Sequence, residues 1–381
     1  MAAVPPSHRD RFAAALDHRE ADRVPIAFGG PECSIHVDAH VRLLQHLGLA
    51  AGRTPPIMDN ILQIVDPDEQ LYDSFDVDAL WLVPLEGPVT WGVDGRGYTD
   101  EFGRAFTFGG GFYNQTGFPL AGGSDEERTR YRFPDMSQHD RAGGLAEKAR
   151  RLYGAGYGLV ADGAWGIYEI SSSLRGPDAL FMDMVLDAAS VEALAERVLE
   201  EHLIPYYSVL LEAVGPWVQM VVVGDDYGSQ DKLLFSPRFF RRVYKPRLRR
   251  LIEHIRRLTG AKVYIHSDGA VSELLPDFIE IGLDGINPVQ YSAAGMAPER
   301  LKAEFGRDLG FFGGGIDNEV LAYGSVLDIQ RDVARQVHAL APGGGYVFAT
   351  IHNISPEVPA ENIVAFFEAG RMFGRYPICP A

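Results

Sequence analysis

One stretch in the second half of the chain decides the fold: residues 218–237, VQMVVVGDDYGSQDKLLFSP. The largely apolar run 218–223 is typical of a strand buried on both faces. Ser236 and Pro237 predict the start of a helix, with serine as N-cap and proline in the first turn. The stretch therefore predicts a strand, a polar loop and a helix, with carboxylates directly after the strand.

The same unit recurs on both sides of this stretch. Apolar runs predict strands at residues 24–28, 79–83, 157–161, 218–223, 262–265, 285–289, 309–312 and 346–350. Eight strands, most of them followed by a helix, indicate an α/β protein of the (β/α)8 TIM-barrel class. An open doubly wound sheet is the alternative, but no G-x-G-x-x-G opens a helix and no nucleotide P-loop is present.

The chain is expected to form one domain over residues 1–381, with an N-terminal helical extension. Residues 84–134 are rich in glycine and aromatic residues and lie between strong strand–helix units. They predict an insertion of loops or hairpins, which can serve as a lid.

Composition excludes several classes of function. With 35 basic and 52 acidic residues the net charge is −17, which is unsuited to nucleic acid. No apolar run approaches the roughly 20 residues of a membrane helix, and the N-terminus does not resemble a secretory signal. Cys33 and Cys379 form no metal-binding spacing and are expected to be unpaired. We therefore expect a cytoplasmic protein.

Polar side chains follow five of the predicted strands. In a barrel the carboxyl ends of the strands form one face, on which active sites are built. The side chains expected to converge there are Asp225, Asp226, His266, Asp268, Asn287, Gln290, Asp317, Asn318, His352 and Asn353.

A metal site is one interpretation of this set. His266 and Asp268 lie two residues apart, so in an extended strand they point to the same side. Together with His352 they offer two imidazoles and a carboxylate, which suit Zn, Fe or Mn. The alternative is that Asp268 caps the following helix while His266 packs in the interior.

The adjacent carboxylates Asp225 and Asp226 also allow two interpretations. At a barrel mouth they repel each other, which raises one pKa and suits proton transfer. The alternative is a turn in which they bond their own backbone.

Several segments resemble the superfamily of uroporphyrinogen decarboxylase and the cobalamin-dependent methyltransferases. The similar segments are residues 11–16 with 22–25 at the start, 224–230 with 235–237 (a D-D-x-G-x-Q … S-P block), 266–269 (an H-x-C-G block), 281–284 (G-x-D) and 359–363 (P-x-E-N). The resemblance covers nearly the whole chain, and it implies a TIM barrel with its site at the carboxyl ends of the strands.

The methyltransferase branch implies a zinc site made by the H-x-C pair and a later cysteine. In that branch the zinc activates a thiol acceptor. Here Asp268 stands at the cysteine position and His352 ends the last strand. A ligand set of His266, Asp268 and His352 is chemically harder than one with thiolates, so it suits an alcohol, an ether oxygen or water. No corrinoid domain is recognisable in the chain, so cobalamin is expected on a partner corrinoid protein.

The sequence thus predicts metal-dependent methyl (one-carbon) transfer on a small molecule, with zinc first and Fe or Mn as alternatives. The candidate catalytic residues are Asp225, Asp226 and Tyr168, and the candidate substrate-binding residues are Gln230, Asn287, Gln290, Asp317 and Asn353. Association into a homodimer is left open.

Three other functions are left open. The first is decarboxylation of a small organic acid held by Arg175 or Lys232. Uroporphyrinogen itself is a poor fit, because residues 28–34 carry no arginine and the chain is acidic. The second is a non-catalytic binding barrel, and the third is an iron oxygenase.

Overall fold

The computed structural model describes residues 5–49, 56–122, 125–138, 140–162 and 165–379. Seven parallel strands lie side by side in chain order: β1 (Ala79–Leu82), β2 (Gly158–Asp162), β3 (Met220–Gly224), β4 (Lys262–His266), β5 (Gly285–Asn287), β6 (Gly310–Phe312) and β7 (Tyr346–Val347). Residues 24–28, the closing segment, join the two edges of this sheet. Ala27 pairs in parallel with Ala79, and Ile26 with Phe348. The sheet is curled into a ring, and the predicted TIM-barrel class is confirmed.

The closing segment is not the continuous strand that the sequence predicts. Pro25 has no N–H, so it cannot donate to a neighbouring strand. Its carbonyl accepts the N–H of Phe348 at 2.9 Å, and the N–H of Ile26 is taken by the Asp78 carboxylate at 2.7 Å. The pairing is therefore limited to isolated bridges.

Helices cover the outside of the barrel. Their bounds are His8–Leu16, Val37–His46, Glu69–Phe75, Asp125–Arg130, Leu145–Gly154, Ile167–Arg175, Pro177–Leu186, Ala188–Val198, Ile204–Val214, Pro237–Leu258, Leu275–Glu280, Pro298–Phe305, Asn318–Tyr323, Val326–Leu340 and Ala360–Phe373. The predicted cap is confirmed, since the Ser236 side chain accepts the N–H of Phe239. None of the described helices is long and apolar enough to cross a bilayer.

Alternate residues of each strand pack on two sides. One set lies in the barrel interior, with Trp81, Met220, Tyr264 and Phe312 as its larger members, while the other packs under the helices. The Tyr264 ring needs space in this interior, and a Cβ on Gly310 would lie 1.9 Å from its hydroxyl oxygen. Glycine in β6 therefore allows a tyrosine to fill the barrel.

The N-terminal helix is fixed to the barrel by a buried ion cluster. Asp78, fully buried before β1, accepts hydrogen bonds from Arg11 Nη1 at 2.6 Å and from Arg23 Nη1 at 2.5 Å. Arg11 also pairs with Asp22. The segments 11–16 and 22–25, which carry part of the family resemblance, thus have a structural role.

The insertion contains a four-stranded antiparallel sheet, and the predicted hairpins are confirmed. Its strands, in the order in which they pair, are Thr90–Trp91, Gly97–Thr99, Ala105–Gly109 and Phe112–Gly117. A smaller antiparallel sheet is formed by Ile35–His36, Ile64–Val65 and Ile57–Asp59. The single-domain organisation and the lid role of residues 84–134 stay predictions.

Candidate functional site

The structure brings His266, Asp268 and His352 together at the carboxyl end of the barrel. One ligand atom from each lies within 4.8 Å of the other two. His266 is the last residue of β4, Asp268 lies two positions later, and His352 follows β7. Ligands that share one ion at about 2 Å lie up to about 4 Å apart, so a small adjustment allows this triad to hold a metal.

Asn287, at the end of β5, sets the orientation of His266. Its side-chain N–H donates to the Phe312 carbonyl at 3.2 Å, which leaves Oδ1 as the acceptor for His266 Nδ1 at 2.6 Å. The proton of a neutral His266 is therefore held on Nδ1, and the lone pair is left on Nε2. This is the arrangement that a metal-binding histidine requires.

Asp268 does not cap a helix in the described chain. The helical turn that follows it, Ser272–Leu274, has no side-chain cap. Oδ1 of Asp268 is buried and has no hydrogen-bond partner among the described residues. A buried carboxylate oxygen without a donor is costly, so a cation at this position would satisfy it.

The two adjacent carboxylates play different parts. Asp225 is 1% exposed, and its oxygens accept the N–H groups of Tyr168 and Glu169, each at 2.9 Å, and the Tyr227 hydroxyl at 2.7 Å. Asp225 follows β3, and from there it caps helix Ile167–Arg175. It does not line the cavity described below. This corrects the expectation that either aspartate is equally suited to proton transfer.

Asp226 does face the cavity. Its Oδ1 accepts the N–H of Asp268 at 2.7 Å and lies 4.0 Å from His266 Nε2. Burial lowers the pKa of His266, but the Asp268 and Asp226 carboxylates outweigh it and raise that pKa overall. Burial, with a contribution from His266, lowers the pKa of His352 to about 4.

The other predicted residues hold loops rather than line this cavity. Gln230 donates to the Ser292 carbonyl at 2.5 Å, and Gln290 accepts the N–H of Gly269 at 2.6 Å. Asp317 caps helix Asn318–Tyr323.

Asn353 and Tyr168 likewise do not line the main cavity. Asn353 accepts the N–H of Ser34 at 2.7 Å and donates to the Pro31 carbonyl. Tyr168 lines a second, more open cavity, into which Trp165, Glu169 and Asp226 also project.

The main cavity has a volume of about 400 Å³ and reaches from His266 and His352 to the insertion. From the insertion it is lined by Leu85, Glu86, Tyr98, Asp100, Glu101, Phe102 and Arg104. From the barrel and its loops it is lined by Glu32, Asp59, Arg141, Asp162, Trp165, Glu169, His202, Tyr206 and Asp226.

The sequence analysis missed most of this wall. Asp162 is the last residue of β2, so the rule applied to the other strand ends also selects it. Glu32 lies in the loop after the closing segment, within the arginine-free residues 28–34. For Arg104 and Arg141 no sequence signal exists, because their position depends on how the insertion packs.

Comparison with known proteins agrees with this architecture. Residues 163–373, more than half of the chain, match the family described as uroporphyrinogen decarboxylase (URO-D). No curated protein matches the chain.

Among solved structures, a methyltransferase from Methanosarcina mazei superposes with a TM-score of 0.67 at 18% identity, covering 97% of this chain and 99% of the other. At that identity the likeness shows a shared fold. A GH113 beta-1,4-mannanase matches 91% of this chain and 99% of its own at 11% identity, but its TM-score of 0.39 is too low to support an argument. By sequence match over most of the barrel, the chain belongs to the uroporphyrinogen decarboxylase (URO-D) family.

Proposed function

We propose that this protein catalyses metal-dependent methyl transfer on a small molecule, with the metal held by His266, Asp268 and His352. The observation that carries the proposal is the convergence of these three side chains around an unpartnered, buried carboxylate oxygen. The barrel that this chain shares with a methyltransferase supports the proposed reaction class.

The donor set fits a divalent metal. Two imidazoles and one carboxylate suit zinc, with Fe or Mn as alternatives, and they leave positions open for a substrate. When bound, such a metal supplies Lewis-acid polarisation of an ether or alcohol oxygen. Asn287 keeps the Nε2 lone pair of His266 directed to the site.

The protein's own residues supply positioning and a proton. In methyl transfer from an ether, the C–O bond breaks, the methyl carbon accepts an electron pair from the acceptor, and the oxygen left behind takes a proton. Asp226 is the candidate donor of that proton, since it lines the cavity 4.0 Å from His266 Nε2. The acceptor is proposed to be cobalamin carried by a corrinoid partner protein.

Decarboxylation of a small acid has less support. The carboxylate clamp would need free cations, but in the cavity Arg104 pairs with Asp100 at 2.6 Å and Arg141 pairs with Glu101. Arg175 pairs with Asp183, and neither it nor Lys232 lines the cavity.

Metal content is the first test. The protein is stripped with a chelator, reconstituted with Zn, Mn or Fe, and analysed for bound metal, with His266→Ala as the loss variant. Asp317→Asn is the matched control, because Asp317 also follows a barrel strand but only caps a helix. We expect one metal per chain in the native protein and the control, and loss in His266→Ala; no bound metal in the native protein refutes the proposal.

Turnover is the second test. We expect methyl transfer from methoxylated compounds to a corrinoid acceptor by the reconstituted protein. Release of CO₂ without an acceptor would favour the decarboxylase instead. A requirement for O₂ would favour an oxygenase, and ligand binding without turnover would favour a binding barrel.

A further inference from the structure

The wall of the main cavity holds more carboxyl groups than cationic groups. Four of these carboxyl groups, on Glu32, Asp59, Glu86 and Glu169, form no ion pair with an arginine or lysine of the described residues. Burial raises the pKa of each, so a bound cation would favour their ionised forms. The two lining arginines are already neutralised by carboxylates of the insertion.

His202, which lines the cavity, adds little positive charge to offset those acids. Burial, with help from Arg141 and Arg104, lowers the pKa of His202 to about 3. Because both arginines are paired and this histidine is neutral, the cavity favours cations over anions.

Glu32 provides a specific binding position in this acidic wall. It is 8% exposed, it lines the cavity, and its Oε2 has no hydrogen-bond partner among the described residues. Asp162, 2% exposed at the end of β2, lies beside it. A buried acceptor that faces a cavity without a donor is a position that a ligand N–H would satisfy.

The aromatic part of the wall also accommodates positive charge. The Arg104 guanidinium lies 4.7 Å from the ring centroid of Phe102 and 4.9 Å from that of Trp165. These contacts show that aromatic rings of the wall accept a positive charge against their faces. Tyr206 extends this aromatic surface toward Asp162.

We propose that the substrate is a small organic amine, bound as its ammonium ion, whose N–H groups donate to Glu32 Oε2 and the neighbouring Asp162 carboxyl. The volume of about 400 Å³ suits a small organic molecule of this kind. That this amine takes part in methyl transfer rests on the proposed function. The preference for a cation depends only on the cavity.

Binding of matched ligands tests the proposal. The probes are n-propylamine, n-butylamine and benzylamine, each compared with the alcohol that replaces the ammonium by a hydroxyl and with the carboxylate of the same size. Titration calorimetry at neutral pH uses the full chain, both zinc-loaded and chelator-stripped. We expect at least one amine to bind about tenfold or more tighter than its alcohol, and the carboxylates not to bind.

Two conservative variants locate the preference. Glu32→Gln and Asp162→Asn are expected to remove about tenfold of amine affinity while leaving alcohol affinity unchanged. Glu357→Gln, at an exposed glutamate that does not line the cavity, is the control and is expected to keep the preference. Circular dichroism verifies that each variant is folded.

Equal binding of amines and alcohols, tighter binding of carboxylates, or no amine binding at concentrations on the order of 10 mM overturns the inference. Its failure is distinguishable from failure of the proposed function. Zinc binding and methyl transfer without an amine preference overturn only the inference. Amine binding in a protein that takes up no metal overturns only the proposed function.

Discussion

Asn287 offers the sharpest test of how the proposed metal site is organised. It is 1% exposed and touches no cavity space, yet its Oδ1 accepts from His266 Nδ1 at 2.6 Å. Asn287→Ala removes this acceptor, so the His266 ring loses both its orientation and its preferred tautomer. We therefore expect weaker metal binding although all three ligands are still present.

The expected magnitude follows from that one hydrogen bond. Removing a partner that orients a metal-binding histidine typically reduces metal affinity by about 10- to 100-fold. This corresponds to roughly 1.4–2.7 kcal/mol of binding free energy. The Phe312 carbonyl also loses its donor, which costs about 1–3 kcal/mol of folding free energy.

Competition with a chromophoric zinc chelator measures the affinity, and urea unfolding measures the stability. Asn287→Asp is the rescue variant, because a carboxylate accepts the same bond from His266, and we expect its zinc affinity to be near the native value. Asn353→Ala is the control, since that amide bonds Ser34 and Pro31 instead. A folded Asn287→Ala protein that binds zinc with native affinity would refute the reasoning.

Two pairs of substitutions test the roles assigned to the buried ion cluster and to the adjacent aspartates. Asp78→Asn removes the buried carboxylate that Arg11 and Arg23 share and is expected to lower the free energy of unfolding by about 3–5 kcal/mol. Asp76→Asn, whose side chain is 44% exposed, is expected to cost less than about 1 kcal/mol; equal losses in urea unfolding would contradict the buried-cluster role. Asp225→Asn is expected to lower stability by about 1–3 kcal/mol, since an amide accepts only part of the bonds. Asp226→Asn is expected to lower methyl-transfer turnover by about 10²–10⁴-fold without loss of stability, and native turnover would exclude it as the proton donor.

Much of the barrel was predictable because buried parallel strands leave a strong signal. Largely apolar runs locate β1 to β7, and the barrel rule then places the residues after them on one face. The two-residue spacing of His266 and Asp268 predicts the same side of the chain, and their ligand atoms do lie close together. The closing segment was harder, because Pro25 restricts its pairing to isolated bridges.

The roles of adjacent polar residues were not predictable in the same way. Asp225 and Asp226 have the same chemistry and neighbouring positions, yet one caps helix Ile167–Arg175 and the other faces the cavity. The difference depends on the close approach of that helix, where a Cβ on Gly166 would lie 1.9 Å from the Gly224 carbonyl oxygen. Such a long-range contact has no counterpart in local sequence.

The same contact changes what the family resemblance can show. In the D-D-x-G-x-Q block, Asp225 bonds backbone N–H groups and Gln230 bonds a backbone carbonyl, so these two residues maintain the shape of a loop. A match at such positions indicates the barrel and its loop geometry, and it carries little information about the substrate. Under the proposed function, the residues that distinguish substrates would lie in the cavity wall, where Glu32 and the acids of the insertion fall outside the matched residues 163–373. Substrate choice in this chain is therefore best inferred from the charge of that wall, while membership of the family constrains the fold beneath it.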